Sequence, residues 1–245
     1  MTPRQLAQRA RAELRKSADP RIASQQHAYF KKWEKLRFYG LSAPELGRIT
    51  RQLHQSVRKE WSYAEAVELC ESLISDPYVE SKHVGLMLLT RYRRQFEPDL
   101  LQRAKLWLER GLCDNWAITD HLATRILASL IDKFAPLAAK VESWDRSPNL
   151  WVRRSSAVAF VYLIRKGDHL DRAYRITTVL EPDCHDLIHK ACGWLLRECG
   201  KADAPRLEKY LLDHGPSVPR TTLRYAIERF SEAKRRYILA ATRKP

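Results

Sequence analysis

Glycine is scarce in this chain, 8 among 245 residues, and that scarcity works against a fold built on tight β-turns. No stretch alternates apolar and polar residues long enough to compete as a strand. The five cysteines, Cys70, Cys113, Cys184, Cys192 and Cys199, contain no CxxC pair, which reads as reduced, buried thiols in a cytosolic protein. No apolar run approaches the roughly 20 residues that span a bilayer. Met1 to Pro20 is polar and Arg-rich, lacks the apolar core of a secretory signal, and carries Glu13 and Asp19, which count against a transit peptide. A Gly-rich phosphate loop, a GxSxG elbow and a useful Cys–His spacing are also missing, so the nucleotide-binding and nucleophilic-enzyme motifs do not apply.

What is abundant is positive charge. Lys and Arg total 44 against 29 Asp and Glu, a formal charge of +15 with a pI near 9.8. Such a field attracts polyanions, nucleic acid first and acidic membrane second. A hydrophobic content of 44% excludes general disorder, and the wealth of Ala, Leu, Arg and Glu favours helices.

The helical reading has internal order. Residues 3 to 17 form a basic amphipathic segment with Leu6, Ala10 and Leu14 on one face, broken at Asp19-Pro20. Ala23 to Tyr39 reads as a second helix bearing Tyr29, Phe30, Trp33, Leu36 and Phe38, ended by Gly40. Ser42-Ala43-Pro44-Glu45 carries a capping-box signature for a third. Asp76-Pro77, Asp114, Ser147-Pro148, Glu181-Pro182 and Ser217 then punctuate the chain at intervals of 38, 33, 35 and 35 residues, counted from positions 76, 114, 147, 182 and 217. Within each unit a further break falls, near Glu97-Pro98, Ala135-Pro136, Lys166-Gly167 and Asp203-Ala204-Pro205. Two helices per period of this length predict an all-α, α-solenoid architecture of HEAT-like helical repeats, one domain over residues 1–245, with a curved, basic concave groove.

The first helix of each pair would line that groove. Those segments carry Lys82 and Arg91; Trp116, Asp120 and Arg125; Trp151, Arg153 and Arg154; Lys190, Trp194 and Arg197; Arg220 and Arg224. Together they predict a basic, aromatic stripe suited to a phosphodiester backbone. Trp116 and Asp120 are spaced i,i+4 and share a helix face in a segment whose N-cap is read at Asp114; the plainer reading is a core Trp and a solvated Asp. Of Arg153 and Arg154, about 100° apart on a helix, one can face the groove squarely. Lys190, Trp194 and Arg197 make one face, and Gly193 among them points to close helix approach or room for a bulky ligand. His185 and His189 have a metal-ligand spacing, but Asp186 stands where zinc-protease helices carry Glu and no third ligand follows, so no metal is assigned.

Asn115-Trp116-Ala117-Ile118-Thr119-Asp120, Asn149-Leu150-Trp151-Val152-Arg153-Arg154-Ser155-Ser156-Ala157 and His189-Lys190-Ala191-Cys192-Gly193-Trp194-Leu195-Leu196-Arg197-Glu198, in this order and spacing, resemble the DNA alkylation repair family of HEAT-like repeat proteins, the AlkD-type DNA glycosylases. The resemblance covers most of the chain. It implies a DNA glycosylase excising cationic N3- and N7-alkylated purines from double-stranded DNA, as a monomer in the cytoplasm, without cofactor, metal or membrane. It places the catalytic carboxylate on Asp120, groove tryptophans on Trp116 and Trp194, a groove arginine on Arg154 and an N-terminal aromatic on Tyr29, and it implies that the lesion stays stacked in the duplex. Arg153, Lys190 and Arg197 join the expected DNA-binding set. The alternative from a different class is a non-catalytic module that binds DNA structures or a protein partner.

Overall fold

The computed structural model describes residues 1–31 and 34–243. In chain order the helices are α1 (Pro3–Lys16), α2 (Pro20–His27), α3 (Ala43–Val57), α4 (Tyr63–Ile74), α5 (Val79–Thr90), α6 (Leu100–Glu109), α7 (Trp116–His121), α8 (Ala128–Lys133), α9 (Leu137–Glu142), α10 (Leu150–Val158), α11 (Leu170–Leu180), α12 (Asp186–Ala202), α13 (Ala204–His214), α14 (Arg220–Ala226) and α15 (Glu232–Ala241). Among the described residues there is no strand, only an isolated bridge between Arg37 and Tyr78. The protein is all-α, as its glycine-poor, helix-periodic sequence requires.

The chain's contacts gather into two compact units. Residues 1–100 and 110–122 make the first; residues 101–109 and 123–245 make the second. In the first unit, α1 starts with a complete capping box: the Thr2 hydroxyl accepts from Gln5 N, and Thr2 N donates to the Gln5 side chain. Its buried face is Leu6, Ala7, Ala10 and Leu14. Arg11 ties it to the end of α4, donating through Nε to Asp76 at 2.7 Å and through Nη2 to the Ser72 carbonyl at 2.8 Å. Asp76 also accepts from Tyr78 N at 3.0 Å, so the Asp-Pro punctuation is a turn that launches α5. At α3 the Ser42 hydroxyl caps Glu45 N, while the Glu45 carboxylate turns to Arg48 and Ser17.

The helix expected over Ala23 to Tyr39 ends at His27, and Trp33 lies outside the described residues. Three i→i+3 bonds carry the chain off α2 through Phe30. Long-range contacts then override the helical pattern. The buried Glu80 carboxylate accepts from the backbone N–H groups of Tyr39, Gly40 and Leu41 at 3.0, 2.8 and 3.3 Å, groups that a helix would have satisfied internally. Phe38 packs against His27 and Phe30, and Tyr39 stacks on Tyr78 at 3.9 Å. Gly40 closes the segment at φ +87°, where an added Cβ would lie 2.0 Å from the Asp19 carbonyl oxygen.

In the second unit α12 packs on α14, α10 and α11. Its core includes Leu195, Leu196, Ile176 and Phe160, all at or near zero exposure. Gly193 is explained by helix approach. A Cβ there would stand 2.4 Å from Tyr225 Cβ and 2.8 Å from the Thr222 carbonyl oxygen, both on α14. The Thr222 hydroxyl donates to the His189 carbonyl at 3.0 Å across the same seam.

All five cysteines are free. Four are buried as expected; Cys184 is exposed, in the turn before α12 that Asp183 organises. Among the described residues no helix is long and apolar enough to cross a membrane.

Candidate active site

α7 is short. Its N-cap is Asn115, whose Oδ1 accepts from Ile118 N at 3.1 Å. Asp114, the expected cap, instead takes Lys82 Nζ at 2.9 Å, and the same ammonium donates to the Leu112 carbonyl at 2.9 Å. Cap and clamp fix the start of the helix that carries Trp116 and Asp120. Both residues are half-buried, one turn apart. The next residues, Leu122–Leu127, form a π-helical stretch rather than the continuous α-helix read from periodicity. Such insertions recur at functional sites because they re-aim the side chains at their ends. Leu122, Ile126, Leu127 and Leu130 are nonetheless all buried, so the apolar pattern was real and its pitch was not regular.

His83 on α5 meets His121, the neighbour of Asp120, with Nδ1 to Nδ1 at 3.2 Å. At that distance one ring nitrogen donates to the other. Burial lowers the His83 pKa to about 4, which keeps its ring neutral near pH 7.

Against Trp116 lies a pocket of about 230 Å³ belonging wholly to the first unit. Its walls include Tyr29, Phe30, Phe38, His83 and Trp116. Phe30 stacks on Trp116, centroids 5.1 Å apart and planes within 22°. Tyr29 is 78% exposed at the same pocket. Among the described residues the ring stacked on Trp116 is therefore Phe30, which the sequence marked only as a helix aromatic.

In the second unit Trp194 is half-buried and meets Tyr162 edge-on at 6.3 Å. Arg165 and Arg125 both lie over the Tyr162 ring, 4.7 and 5.6 Å from its centroid. Tyr162 was not legible as a site residue; it follows the end of α10 in a turn with no motif of its own.

Most cations of the expected stripe hold partners within the fold. Arg154 is 5% exposed and donates to the Leu187 carbonyl, joining α10 to α12. Arg153 Nε pairs with Asp183 at 2.7 Å and its Nη1 donates to the carbonyls of Ser147 and Pro148. Arg197 pairs with Glu228, and Lys190 with Asp186 at 2.7 Å. Lys82 is buried against Asp114, and Arg220 donates to the carbonyls of Thr242 and Leu239. Lys190 pairs within α12 itself, whereas Arg154 and Arg197 join neighbouring elements and Arg220 reaches carbonyls that the end of α15 leaves open. His185 and His189 are likewise engaged locally: His185 Nδ1 caps Leu187 N, and His189 Nε2 bonds the Asp183 carbonyl. Among the described residues no three His, Cys, Asp or Glu side chains gather as a metal site.

The sequence matches the family model of the DNA alkylation repair enzymes over residues 10–230. The chain belongs to that family. A solved structure described as a predicted DNA alkylation repair enzyme from Enterococcus faecalis shares its fold, with a TM-score of 0.78 at 17% identity, covering 88% of this chain and 98% of that one. No curated protein matches. Within the family's fold, the first unit holds Asp120, Trp116 and Tyr29, and the second holds Arg153, Arg154, Lys190, Trp194 and Arg197.

Proposed function

We propose that this DNA alkylation repair enzyme is a monomeric, cytoplasmic glycosylase that excises cationic N3- and N7-alkylated purines, such as 3-methyladenine and 7-methylguanine, from double-stranded DNA. The observation that supports it best is the α7 pair: a half-buried carboxylate one helical turn from an indole, in a strongly basic chain of this family.

The chemistry follows from where charge sits. An alkylated purine is already positive, so it leaves without protonation. When the C1′–N bond breaks, its electron pair goes to the base nitrogen and neutralises the ring, while the positive charge moves to the sugar. Asp120 is assigned to stabilise that sugar cation and to orient the water that attacks C1′; the water's oxygen forms the new bond and its proton passes to the carboxylate or to solvent. One carboxylate suffices because no acid is needed, unlike ordinary glycoside hydrolysis with its two. Trp116 would offer its ring face to the positive sugar, and Trp194 is assigned to DNA binding on the second unit.

The test is release of 3-methyladenine and 7-methylguanine from methylated duplex DNA. Asp120→Asn is expected to bind the duplex about as well as wild type and to lose roughly 10²–10³-fold in excision rate. Equal excision by the two proteins would remove Asp120 from the chemistry. Absence of excision by wild type, with duplex binding retained, would leave a DNA-binding module.

A further inference from the structure

Within the second unit most cations of the expected stripe are taken up by carboxylates or carbonyls. Arg125 is not. Its side chain is exposed and meets no acidic group and no carbonyl among the described residues. Its guanidinium lies instead over the Tyr162 ring, 5.6 Å from the centroid. A ring attracts a cation without consuming its N–H donors as a carboxylate does. Arg125 is thus held in place with its donors still to be used.

The same ring gathers two further groups. Arg165 lies 4.7 Å from the Tyr162 centroid, but its Nε is committed to Glu198 at 2.9 Å. Glu198 is 1% exposed and also takes Lys201 Nζ at 2.7 Å. Arg197, three residues after Trp194, pairs with Glu228. Arg125, Arg165, Arg197 and Lys201 therefore face only the two carboxylates of Glu198 and Glu228. Two guanidinium groups on one ring also repel each other, and an anion brought from outside relieves that repulsion. Trp194 is the third neighbour, edge-on to Tyr162 at 6.3 Å with the planes at 90°, an arrangement that aromatic pairs favour. One half-buried tyrosine thus sets the place of a cation and of an indole together.

We propose that Arg125 contacts a backbone phosphate of the bound duplex, and that Tyr162 is a positioning residue which presents Arg125 and Trp194 to that backbone as one surface. A guanidinium fork matches the paired oxygens of a phosphodiester, and the excess positive charge around Tyr162 calls for such an anion. The contact reads no base, so it fixes where the duplex lies without selecting its sequence. The inference rests on the duplex-binding part of the proposed function and not on excision.

The test is binding of the full chain to a labelled, undamaged duplex, followed by fluorescence anisotropy over a salt series. Arg125→Gln should lower the slope of log K against log salt by about one. It should weaken binding roughly three- to tenfold at about 0.1 M salt, by the same factor for two unrelated duplex sequences. Arg175→Gln removes the same formal charge from a cation held by Glu142 at 2.8 Å and should leave the slope unchanged. Tyr162→Leu should lower the slope as Arg125→Gln does, Tyr162→Phe should keep it, and the double variant Tyr162→Leu, Arg125→Gln should lower it no further than Arg125→Gln alone. An unaltered slope in Arg125→Gln, or an equal fall in Arg175→Gln, overturns the phosphate contact. A lowered Tm with the wild-type slope in Tyr162→Leu overturns the positioning role. Release of 7-methylguanine by wild type, with the Arg125→Gln slope unaltered, refutes this contact and keeps the glycosylase. The expected slope change in a protein that releases no base supports the contact and refutes the glycosylase.

Discussion

Replacing Gly193 by Ala sets two effects of opposite sign against each other. Ala in a helix interior is favoured over Gly by about 1 kcal/mol, and Gly193 sits in the middle of α12. Against that, the new methyl would stand 2.4 Å from Tyr225 Cβ, 2.8 Å from the Thr222 carbonyl oxygen and 3.2 Å from Thr222 Cα. Carbon atoms prefer roughly 3.5–4.0 Å, so the overlap exceeds 1 Å. None of the three atoms is the free end of a flexible side chain, so relief requires α14 to move as a body. Overpacking of that kind costs about 1–3 kcal/mol, and rigid neighbours place this site at the upper end. The net expectation is a loss of about 2 kcal/mol, or a fall in Tm of roughly 4–8 °C for a chain of this size. Gly200→Ala in the same helix is the control. There the clash at 2.5 Å is with Leu207 Cδ2, a terminal methyl that can rotate away, so overlap and helix gain should nearly cancel. Gly47→Ala in α3 meets nothing closer than Arg51 Nη1 at 3.9 Å and should stabilise by about 1 kcal/mol. Thermal melts by circular dichroism give the order Gly47→Ala above Gly200→Ala above Gly193→Ala. If Gly193→Ala melts higher than wild type, α12 and α14 are not packed backbone to backbone, and the position of Trp194 next to that seam has to be argued anew.

Other consequences follow from the same contacts. Arg154→Ala removes the charged hydrogen bond that joins α10 to the first turn of α12 and is expected to cost about 1.5–3 kcal/mol of stability while the salt dependence of duplex binding stays unchanged; a slope reduced by about one unit would return Arg154 to phosphate contact. His83 has a folded pKa lowered by burial to about 4, below its unfolded value near 6.5. Between those values the unfolded chain binds the extra proton, so this residue's contribution is present above about pH 6.5 and is lost as pH falls towards 4, by at most ~3 kcal/mol. Denaturation across that window should be less pH-dependent in His83→Gln than in wild type, and identical curves would show that His83 is not desolvated.

Helix starts were readable because their signals are local. Asp76, Asn149 and Ser42 each bind backbone N–H groups two or three residues ahead, and a cap needs nothing farther away. The segment after α2 failed the same reading for the opposite reason. Its fate depends on Glu80, which lies 41, 40 and 39 residues from the three N–H groups it holds. A period of 3.6 cannot announce that its own hydrogen bonds will be outcompeted by a carboxylate on another helix. The π stretch after Asp120 was hidden similarly: every apolar residue expected inside is inside, and the burial pattern alone does not fix the number of residues per turn.

The cations show where composition misleads about a site. A net +15 establishes an attractive field for DNA, but the field and the contact are different things. A long guanidinium can reach a phosphate or an open carbonyl at a neighbouring helix end, and sequence spacing does not choose between them. In this fold Arg220 reaches such carbonyls at the end of α15, Arg154 reaches the Leu187 carbonyl in the first turn of α12 and Arg153 reaches those of Ser147 and Pro148, so these cations help to join the elements. The carboxylate pair of Asp114 and Asp120 divides in the opposite way. Asp114 takes the buried Lys82 and fixes the helix start, while Asp120, six residues on, stands half-buried one helical turn from Trp116. The field therefore draws a duplex in whichever groups touch it, and the proposed chemistry rests on a carboxylate whose place on α7 is set by the Asn115 cap and the Lys82–Asp114 clamp, two contacts that owe nothing to net charge.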